Sequence, residues 1–504
     1  MAVQVTFPGV YISEDASLAL SISGRSTAIP VFVGRFSAKE GVNSDKCVRV
    51  ENWMNFLEKF YSNNLLIRLS SPDEVSVKSK SKSKSKSKSK LSAGDEREDE
   101  GEEQVQVFPI YNLEGIEFAR GSFSVRHYFE NGGGECYVLN LRDDKPELLA
   151  TAIEEYPDIS LLVYCEYLTP EIDSAVYSAL SQLLSNNQGY FLISDSPNGA
   201  APAGLEDHPY VAAYYPAFRT FYKPAEVEIA PEQILLTGYK NGIYTLAQLI
   251  EGIKPPVENQ PADPDSETAS ATHAMIINGM GNFSYEYLPI YLRASPAMAG
   301  LYAKTDRTRG VWKAPANIAV AGVKSLVEIS GTAATATPPN MTLSKLTDVH
   351  AAGVNAIRSF TSKGIMVWGA RTLKGTAQNS DKNWIYVPVR RLFNSVERDV
   401  KAALGKAMFE PNHSATWETV RAAIDNYLYA LWQEGALQGK KPEEAYFVQV
   451  GLGVTMTAQD LEEGNLIVEI GLAAVRPVEF VVLRFTQNIE QAGSKALAEV
   501  GDYV

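Results

Sequence analysis

The sequence predicts a mixed α/β chain whose middle third is built on a parallel sheet with helices on both faces. Three observations carry this. Residues 136–141, 161–165 and 190–193 are short, almost wholly apolar runs, without the polar alternation of a strand that keeps one wet face. Helical segments stand between them at residues 147–156 and 169–184, and strand–helix alternation at this spacing is the pattern of βαβαβ units. In the second helix Pro170 opens the first turn, and Ile172, Val176, Leu180 and Leu183 fall on one face.

In chain order, the first twelve residues alternate Val3, Val5 and Phe7 with Gln4 and Thr6, break at Pro8-Gly9, and resume at Val10, Tyr11 and Ile12. Such a terminal strand-former fits either the edge of the protein's own sheet or an open sheet edge in another chain. Residues 76–104 hold seven lysines in Lys-Ser alternation followed by seven acidic residues and Arg97. Neither block carries the apolar surface that would offset the entropy of ordering it, so a charged surface loop is expected, its halves attracting each other. A tether to nucleic acid or an anionic surface is the other reading of the basic run.

Residues 226–291 give a weaker signal, and their proline clusters mark linkers or surface elaborations around 250–275 and 330–342. Strands are expected at 364–369 and 384–389, followed by a helix through Val396, Val400 and Leu404. Ser414 is the expected cap of a helix carrying Trp417, Val420, Ile424, Leu428 and Leu431. Residues 465–470 and 478–485 read as a hairpin whose second strand, apolar on both faces, asks for cover on both sides.

Composition narrows the function. The chain has 504 residues, which suggests about two to four domains, and its formal charge of −14 argues against a dedicated nucleic-acid binder. Three cysteines are too few for a disulfide framework, the first residues lack the shape of a signal peptide, and no run is long and apolar enough for a membrane span, so direct membrane insertion is not expected. Nucleotide-loop, nucleophile-elbow and paired-cysteine motifs are missing, and the five histidines have no metal-gripping i, i+4 pair. Catalytic residues, a metal and a cofactor are therefore not expected. Gly132-Gly133-Gly134 precedes a strand rather than opening a helix, so a turn needing positive φ is expected there instead of a phosphate cradle. Cys136 with His127 is a weak nucleophile–base pair, because the thiol sits in an apolar strand. Asp195, at the C-terminal end of a parallel strand, is the best candidate for an enzyme or ligand-binding alternative, set against a capping role.

Several ordered segments resemble the tail sheath proteins of contractile phages, R-type pyocins and extracellular contractile injection systems. They include residues 7–12 (FPGVYI), 29–35 (IPVFVGR), 131–138 (NGGGECYV), 212–216 (AAYYP), 307–317 (RTRGVWKAPAN), 367–373 (VWGARTL), 386–392 (YVPVRRL), 409–412 (FEPN), 431–439 (LWQEGALQG) and 477–482 (PVEFVV). The resemblance covers most of the chain and departs at the charged block and around 225–290. It implies a multidomain sheath fold with a discontinuous core. In that reading residues 1–20 form an N-terminal arm, 21–75 the first part of the core or outer domain, and 76–104 the charged loop. Residues 105–345 form a middle α/β region with outward insertions, 346–486 a C-terminal core and 487–504 a C-terminal arm. It further implies a non-catalytic subunit that stacks in six-fold rings around an inner tube, with baseplate and terminator or cap proteins as partners, and sheath paralogues as further ones. Assembly would begin in the bacterial cytoplasm and end in a phage tail or a released particle. Inter-subunit strand exchange would use Val3, Val5, Phe7, Val10, Tyr11 and Ile12 with Leu466, Val468, Ile470, Phe480, Val482 and Arg484. Arg371, Arg390 and Arg391 lie in the matched motifs and are expected in ion pairs, between subunits or within the core. A sheath paralogue placed near the baseplate or tube end is a narrower alternative.

Overall fold

The computed structural model describes residues 21–479 apart from 71–72, 80–103, 142–144, 185–188, 224–228, 241, 255–262, 282–288, 330–335 and 377–381. The chain enters its central sheet at β1 (Pro30–Gly34), adds an edge at β2 (Val48–Val50) and, after α1 (Trp53–Lys59), crosses to a second sheet at β3 (Leu65–Leu69). A ribbon of β4 (Asp73–Ser79) antiparallel to β5 (Gln104–Ile110) follows, then β6 (Leu113–Phe118) pairs back onto β3. α2 (Gly121–Glu130) returns the chain to the central sheet. There β7 (Cys136–Asn140), α3 (Leu148–Glu154), β8 (Leu161–Tyr164), α4 (Pro170–Leu184), β9 (Phe191–Asp195) and β10 (Val211–Tyr215) alternate as the sequence predicts.

Beyond it come β11 (Ala217–Thr220), β12 (Ile234–Tyr239), β13 (Gly242–Thr245), α5 (Leu246–Glu251), α6 (Pro264–Gly281), β14 (Tyr291–Leu292) and α7 (Ser295–Arg309). Then follow β15 (Val323–Ile329), β16 (Ala336–Thr337), α8 (Leu343–Ala351), β17 (Asn355–Phe360) and β18 (Gly364–Trp368). The last part holds α9 (Val387–Leu404), α10 (Ser414–Gln433), α11 (Pro442–Ala445), β19 (Tyr446–Val450), α12 (Ala458–Glu462) and β20 (Val468–Leu472). The central sheet has eight strands in the order β18-β17-β10-β9-β8-β1-β7-β2. Pairing is parallel from β17 through to β7 and antiparallel only at the two edges.

Alternation along these strands sends side chains to two cores. Val31, Val33, Leu139, Leu162, Leu192 and Val211 meet Leu149 and Ile153 of α3 and Val176 and Leu180 of α4. Phe32, Val138, Leu161, Val163, Phe191 and Tyr214 meet Val125 and Tyr128 of α2 and Met298, Leu301 and Tyr302 of α7. Each such side chain, fully buried, contributes about 1.5–3 kcal/mol relative to exposure. A second sheet, β13-β12-β3-β6, is covered by α5 and α6 around a third core of Leu65, Ile67, Ile234, Leu236, Leu246, Leu249 and Ile276.

Polar groups at the C-terminal ends of β1, β8 and β9 are used in construction. The Glu166 carboxylate accepts from the backbone N–H of Arg35, Arg120 and Gly121, so it joins the exits of β1 and β8 to the start of α2. Burial pushes its carboxyl up, and the Arg120 guanidinium and these N–H donors oppose that push. A Cβ at Gly121 would come within 2.6 Å of the Arg35 carbonyl oxygen, so only glycine allows the approach. Arg293 extends the network, stacking on Tyr167 and Tyr164 and pairing with Asp173.

The structure corrects several sequence readings. Residues 387–389, expected in a strand, open α9, because Pro388 sits in the first helical turn where its missing N–H costs nothing. Of the expected strand, only Tyr386 makes a bridge, to Arg371. The cap of α10 is His413, one residue before Ser414, its side chain accepting from Thr416 N–H. The expected linker around 250–275 contains most of α6, an 18-residue helix headed by Pro264 with Asp265 and Glu267 in its first turn. Its run of Ala, Ser and Thr hides the helical period. The charged loop begins later than residue 76, since β4 continues to Ser79 and β5 resumes at Gln104. β20 pairs with β19 on one edge, and the second strand of the expected hairpin, residues 478–485, lies outside the described residues from 480 on. The parallel β10–β17 pair also carries one sheet across the boundary expected at 345/346.

Two outcomes follow. Glu166→Ala strands three backbone donors and leaves the buried Arg120 with Glu117 as its one carboxylate partner among the described residues, and should cost about 3–5 kcal/mol in denaturant unfolding. Lys46→Ala, breaking the exposed pair with Glu155, should leave the midpoint unchanged. His127 is buried with Nε2 on the Ala321 carbonyl, and burial pushes its pKa down from 6.5 to about 4. Between those values the unfolded chain binds the extra proton, so stability falls as pH drops from 6.5 towards 4, by up to about 3 kcal/mol. His127→Gln should remove that share of the slope in urea midpoints measured against pH.

Candidate functional site

The strongest functional signal in the sequence lies at the chain ends, and the structure shows how the body of the protein holds the segments leading to them. Residues 21–28 run along a groove of about 1070 Å³ beside Trp312, Tyr427 and Leu431. Two carboxylates on neighbouring helices fasten this segment. Asp306 of α7 takes the Thr27 hydroxyl and a bidentate pair from Arg391 of α9, at 3.0 and 2.6 Å. Arg391 also donates to the Thr27 carbonyl at 3.0 Å and lies over the Tyr302 ring. Asp399, two turns further along α9, accepts from Arg25 N–H and from the Tyr427 hydroxyl. Burial pushes the Asp399 carboxyl up, against these hydrogen bonds.

The other end is held the same way. Glu479, the last described residue, forms a bidentate pair with Arg371 at 2.7 Å on both oxygens and accepts from the Tyr386 hydroxyl at 3.2 Å. Arg371 is itself fixed by Asn355, which exchanges hydrogen bonds with its backbone N–H and carbonyl and also donates to Ala213 of β10. Leu343, Trp368 and Val478 rim an adjoining groove of about 680 Å³ and are exposed. Charge-assisted bidentate pairs are among the stronger polar contacts available, and their planar geometry fixes orientation.

Between these two roots lies the hairpin β19–β20. Its inner face packs Val448, Val468 and Ile470 on Val420, Ile424 and Leu428 of α10 and Val396 and Val400 of α9. On its outer face Phe447 stands opposite Gly471, where a Cβ would meet the ring at 2.1 Å; glycine leaves room for the aromatic side chain. Among the described residues it is a two-stranded sheet, so each strand has one outer edge unmatched by another strand. Beside β20 an apolar groove of about 600 Å³ is lined by Phe393, Val396, Val400, Leu404, Ile470 and Leu472, with Met408 exposed at its rim.

Of the residues singled out in the sequence, Val468 and Ile470 lie in β20 and Leu466 just before it, all partly buried against α9 and α10. Val3, Val5, Phe7, Val10, Tyr11, Ile12, Phe480, Val482 and Arg484 lie outside the described residues. Arg371 and Arg391 form the two intrachain clamps. Arg390 stacks on Trp384 and Tyr210 and pairs with Asn394 and Glu397, seating α9 on the central sheet. Thr27, Asp306, Asp399 and Glu479 were not found from sequence, since an isolated acid in a helix carries no motif; the arginine-bearing motifs were the available pointer to them.

The chemical candidates are occupied otherwise. Asp195 accepts from the N–H and hydroxyl of Ser295 at the start of α7, which is the capping role. Cys136 is buried and its thiol is pushed well up by desolvation, while His127 Nε2 is engaged by Ala321. Gly132 has φ +94° in the turn after α2, and Gly133 N–H returns to the Tyr128 carbonyl, as a turn requires. Among the described residues no cluster of three metal-ligating side chains occurs, and no helix is long and apolar enough to cross a membrane.

Residues 379–488 match the family model of the phage tail sheath C-terminal domain. The chain is similar to the helical sheath of the anti-feeding prophage (AFP) in its contracted state, at 33% identity over 96% of this chain and 100% of that one, with a TM-score of 0.62. It is as similar to a chain of the six-fold symmetrised AFP baseplate, at 33% identity, 96% and 100% coverage and a TM-score of 0.61. The contracted sheath complex of PVC, an extracellular contractile injection system, gives 32% identity over 97% of this chain and 100% of that one, with a TM-score of 0.58. A tail sheath protein of Vibrio phage KVP40 is 25% identical over 218 residues, which are 42% of this chain and 30% of that protein.

Proposed function

The chain belongs to the contractile tail sheath family, and from that membership we propose that it is a structural subunit of a contractile sheath. In this reading subunits stack as six-fold rings around an inner tube, between a baseplate and a terminator, and contraction drives the tube through a target envelope. The observation that carries it is likeness to a contracted sheath across nearly the whole chain. The work comes from two packings of one subunit that differ in free energy, so assembly in the longer packing stores what contraction releases. No catalytic step is required of the subunit.

Connection between subunits is assigned to strand exchange. The segment carrying Val3, Val5, Phe7, Val10, Tyr11 and Ile12, and that carrying Phe480, Val482 and Arg484, would add to the open edges of a neighbour's β19–β20 hairpin. Four to six main-chain hydrogen bonds at about 1 kcal/mol net each give several kcal/mol per arm. Repeated over a lattice, such contacts hold rings together while their packing changes. Formation in the bacterial cytoplasm, followed by display as a phage tail or released particle, goes with this role.

The equal likeness to a chain of the AFP baseplate favours one second reading, a sheath paralogue seated at the baseplate end. Copy number per particle separates the two: a main sheath subunit is present in many rings, a baseplate paralogue in one or a few.

Electron microscopy of the chain co-expressed with its tube and baseplate proteins is the direct test, and long and short striated particles are expected. Deleting residues 1–12 should abolish ordered sheaths while leaving the subunit soluble and folded; sheaths of normal order would end the strand-exchange assignment. Met408→Asp puts a charge on the rim of the apolar groove beside β20. Because Met408 is 64% exposed, subunit stability should shift by less than about 0.5 kcal/mol, whereas the yield of sheath should fall in negative-stain counts.

A further inference from the structure

We infer that α9 is the strut through which pull on one chain end reaches the other, with Arg391 and Asp399 gripping the N-terminal root and Tyr386 and Arg371 the C-terminal root. The inference rests on the strand-exchange reading and adds to it the positioning residues that let exchange bear load. Thr27 and Arg25 are bound by Arg391 and Asp399, both on α9. Glu479 is bound by Tyr386, the residue preceding the first turn of α9, and by Arg371, which bridges to Tyr386. At 1.5 Å rise per residue the grips span about 20 Å of one helix. That helix is anchored along its length, by Val387 and Leu392 in two separate cores and by Asn394 donating to the Tyr190 carbonyl.

The placement of Glu479 shows what the C-terminal grip protects. Only six residues separate it from the end of β20, and that hairpin is the proposed acceptor for neighbouring strands. A pull on residues beyond 479 would otherwise fall on the short bridge of Ala474 to Leu437 and, beyond it, on β20. The bidentate pair diverts the pull through Arg371 and Asn355 to β10 and the central sheet. The acceptor hairpin is thereby separated from the load on its own chain end. At the other root, Asp306 ties Arg391 to α7, which packs on the opposite face of the sheet from α4.

The test compares Glu479→Gln, Arg371→Glu, the exchange Arg371→Glu with Glu479→Arg, and Tyr386→Phe in the full chain, co-expressed with tube and baseplate proteins. Lys374→Ala, which breaks the Lys374–Asp207 pair on the adjacent loop, is the control. Extended sheaths are expected from Glu479→Gln at near normal yield. On triggering, the fraction contracting without breaks should fall about ten-fold, as for loss of one buried charge partner. Fragmented sheaths should appear in its place, with partial recovery in the charge exchange and a milder defect in Tyr386→Phe. Intact contraction of Glu479→Gln sheaths overturns the strut, and so does failure of that variant to form extended sheaths, since the grip would then serve folding or assembly instead of load. Failure of strand exchange itself is seen separately, in undiminished assembly after deletion of residues 1–12.

Discussion

The structure depends on a parallel sheet that must be dry on both faces. Parallel strands need crossover helices, and those helices leave no open side for water. β1 lies between β7 and β8, so a segment from residues 30–34 is inserted among parallel strands drawn from residues 136–215. The first stretch of chain is therefore locked into the core of the protein within a few residues of Thr27. β17 and β18 add the opposite edge and bring the loop bearing Arg371 against the same sheet. Thr27 stands three residues before β1, and Glu479 is held by Arg371, three residues after β18.

That constraint also accounts for the polar cluster at the C-terminal edge of the sheet, where an α/β protein places its chemistry. Glu166, Asp195, Asp173, Arg120 and Arg293 gather there with three tyrosines, an arrangement that looks like an active site in outline. Their donors and acceptors are directed at one another and at helix starts: Asp195 at Ser295, Glu166 at three backbone N–H groups, Arg293 at Asp173 and Tyr177. The network joins loops that emerge from different strands. It leaves both oxygens of Asp195 engaged by Ser295 at the start of α7.

The parts of the fold legible in the sequence are those in which local chemistry and burial agree. α4 runs from Pro170 to Leu184 as its proline and apolar spacing indicate, and β7, β8 and β9 fall within about two residues of the apolar runs. Pro388 was misread because residues 384–389 have the β-branched and aromatic content of a strand, whereas a proline in a first helical turn has the opposite meaning. α6 was missed because its buried residues, Ser266, Thr268, Ala269, Thr272 and Ile276, are mostly small. The pairing of β20 with β19 across a 17-residue connection was not legible, since strand partners at that distance are chosen by packing on α9 and α10. For the site, the motifs located the arginines. Their acidic partners lie 85 and 108 residues away in sequence, and only the fold brings them together.

The division of the chain follows from the same mechanics. Residues 379–488, which match the family model, contain α9, the β19–β20 hairpin and, of the groups around Glu479, Tyr386, while Arg371 lies just before the matched segment. The second sheet, β13-β12-β3-β6, has its own core, and the ribbon of β4 and β5 joins its strands β3 and β6 in the chain. An insertion there alters a surface without lengthening the path between Thr27 and Glu479. An insertion within α9 would lengthen that path by about 1.5 Å and turn the next grip by about 100° for every residue added. The clamps would then face away from the segments they hold. On the strut inference, insertions are borne in the ribbon between β4 and β5 more readily than between Tyr386 and Asp399.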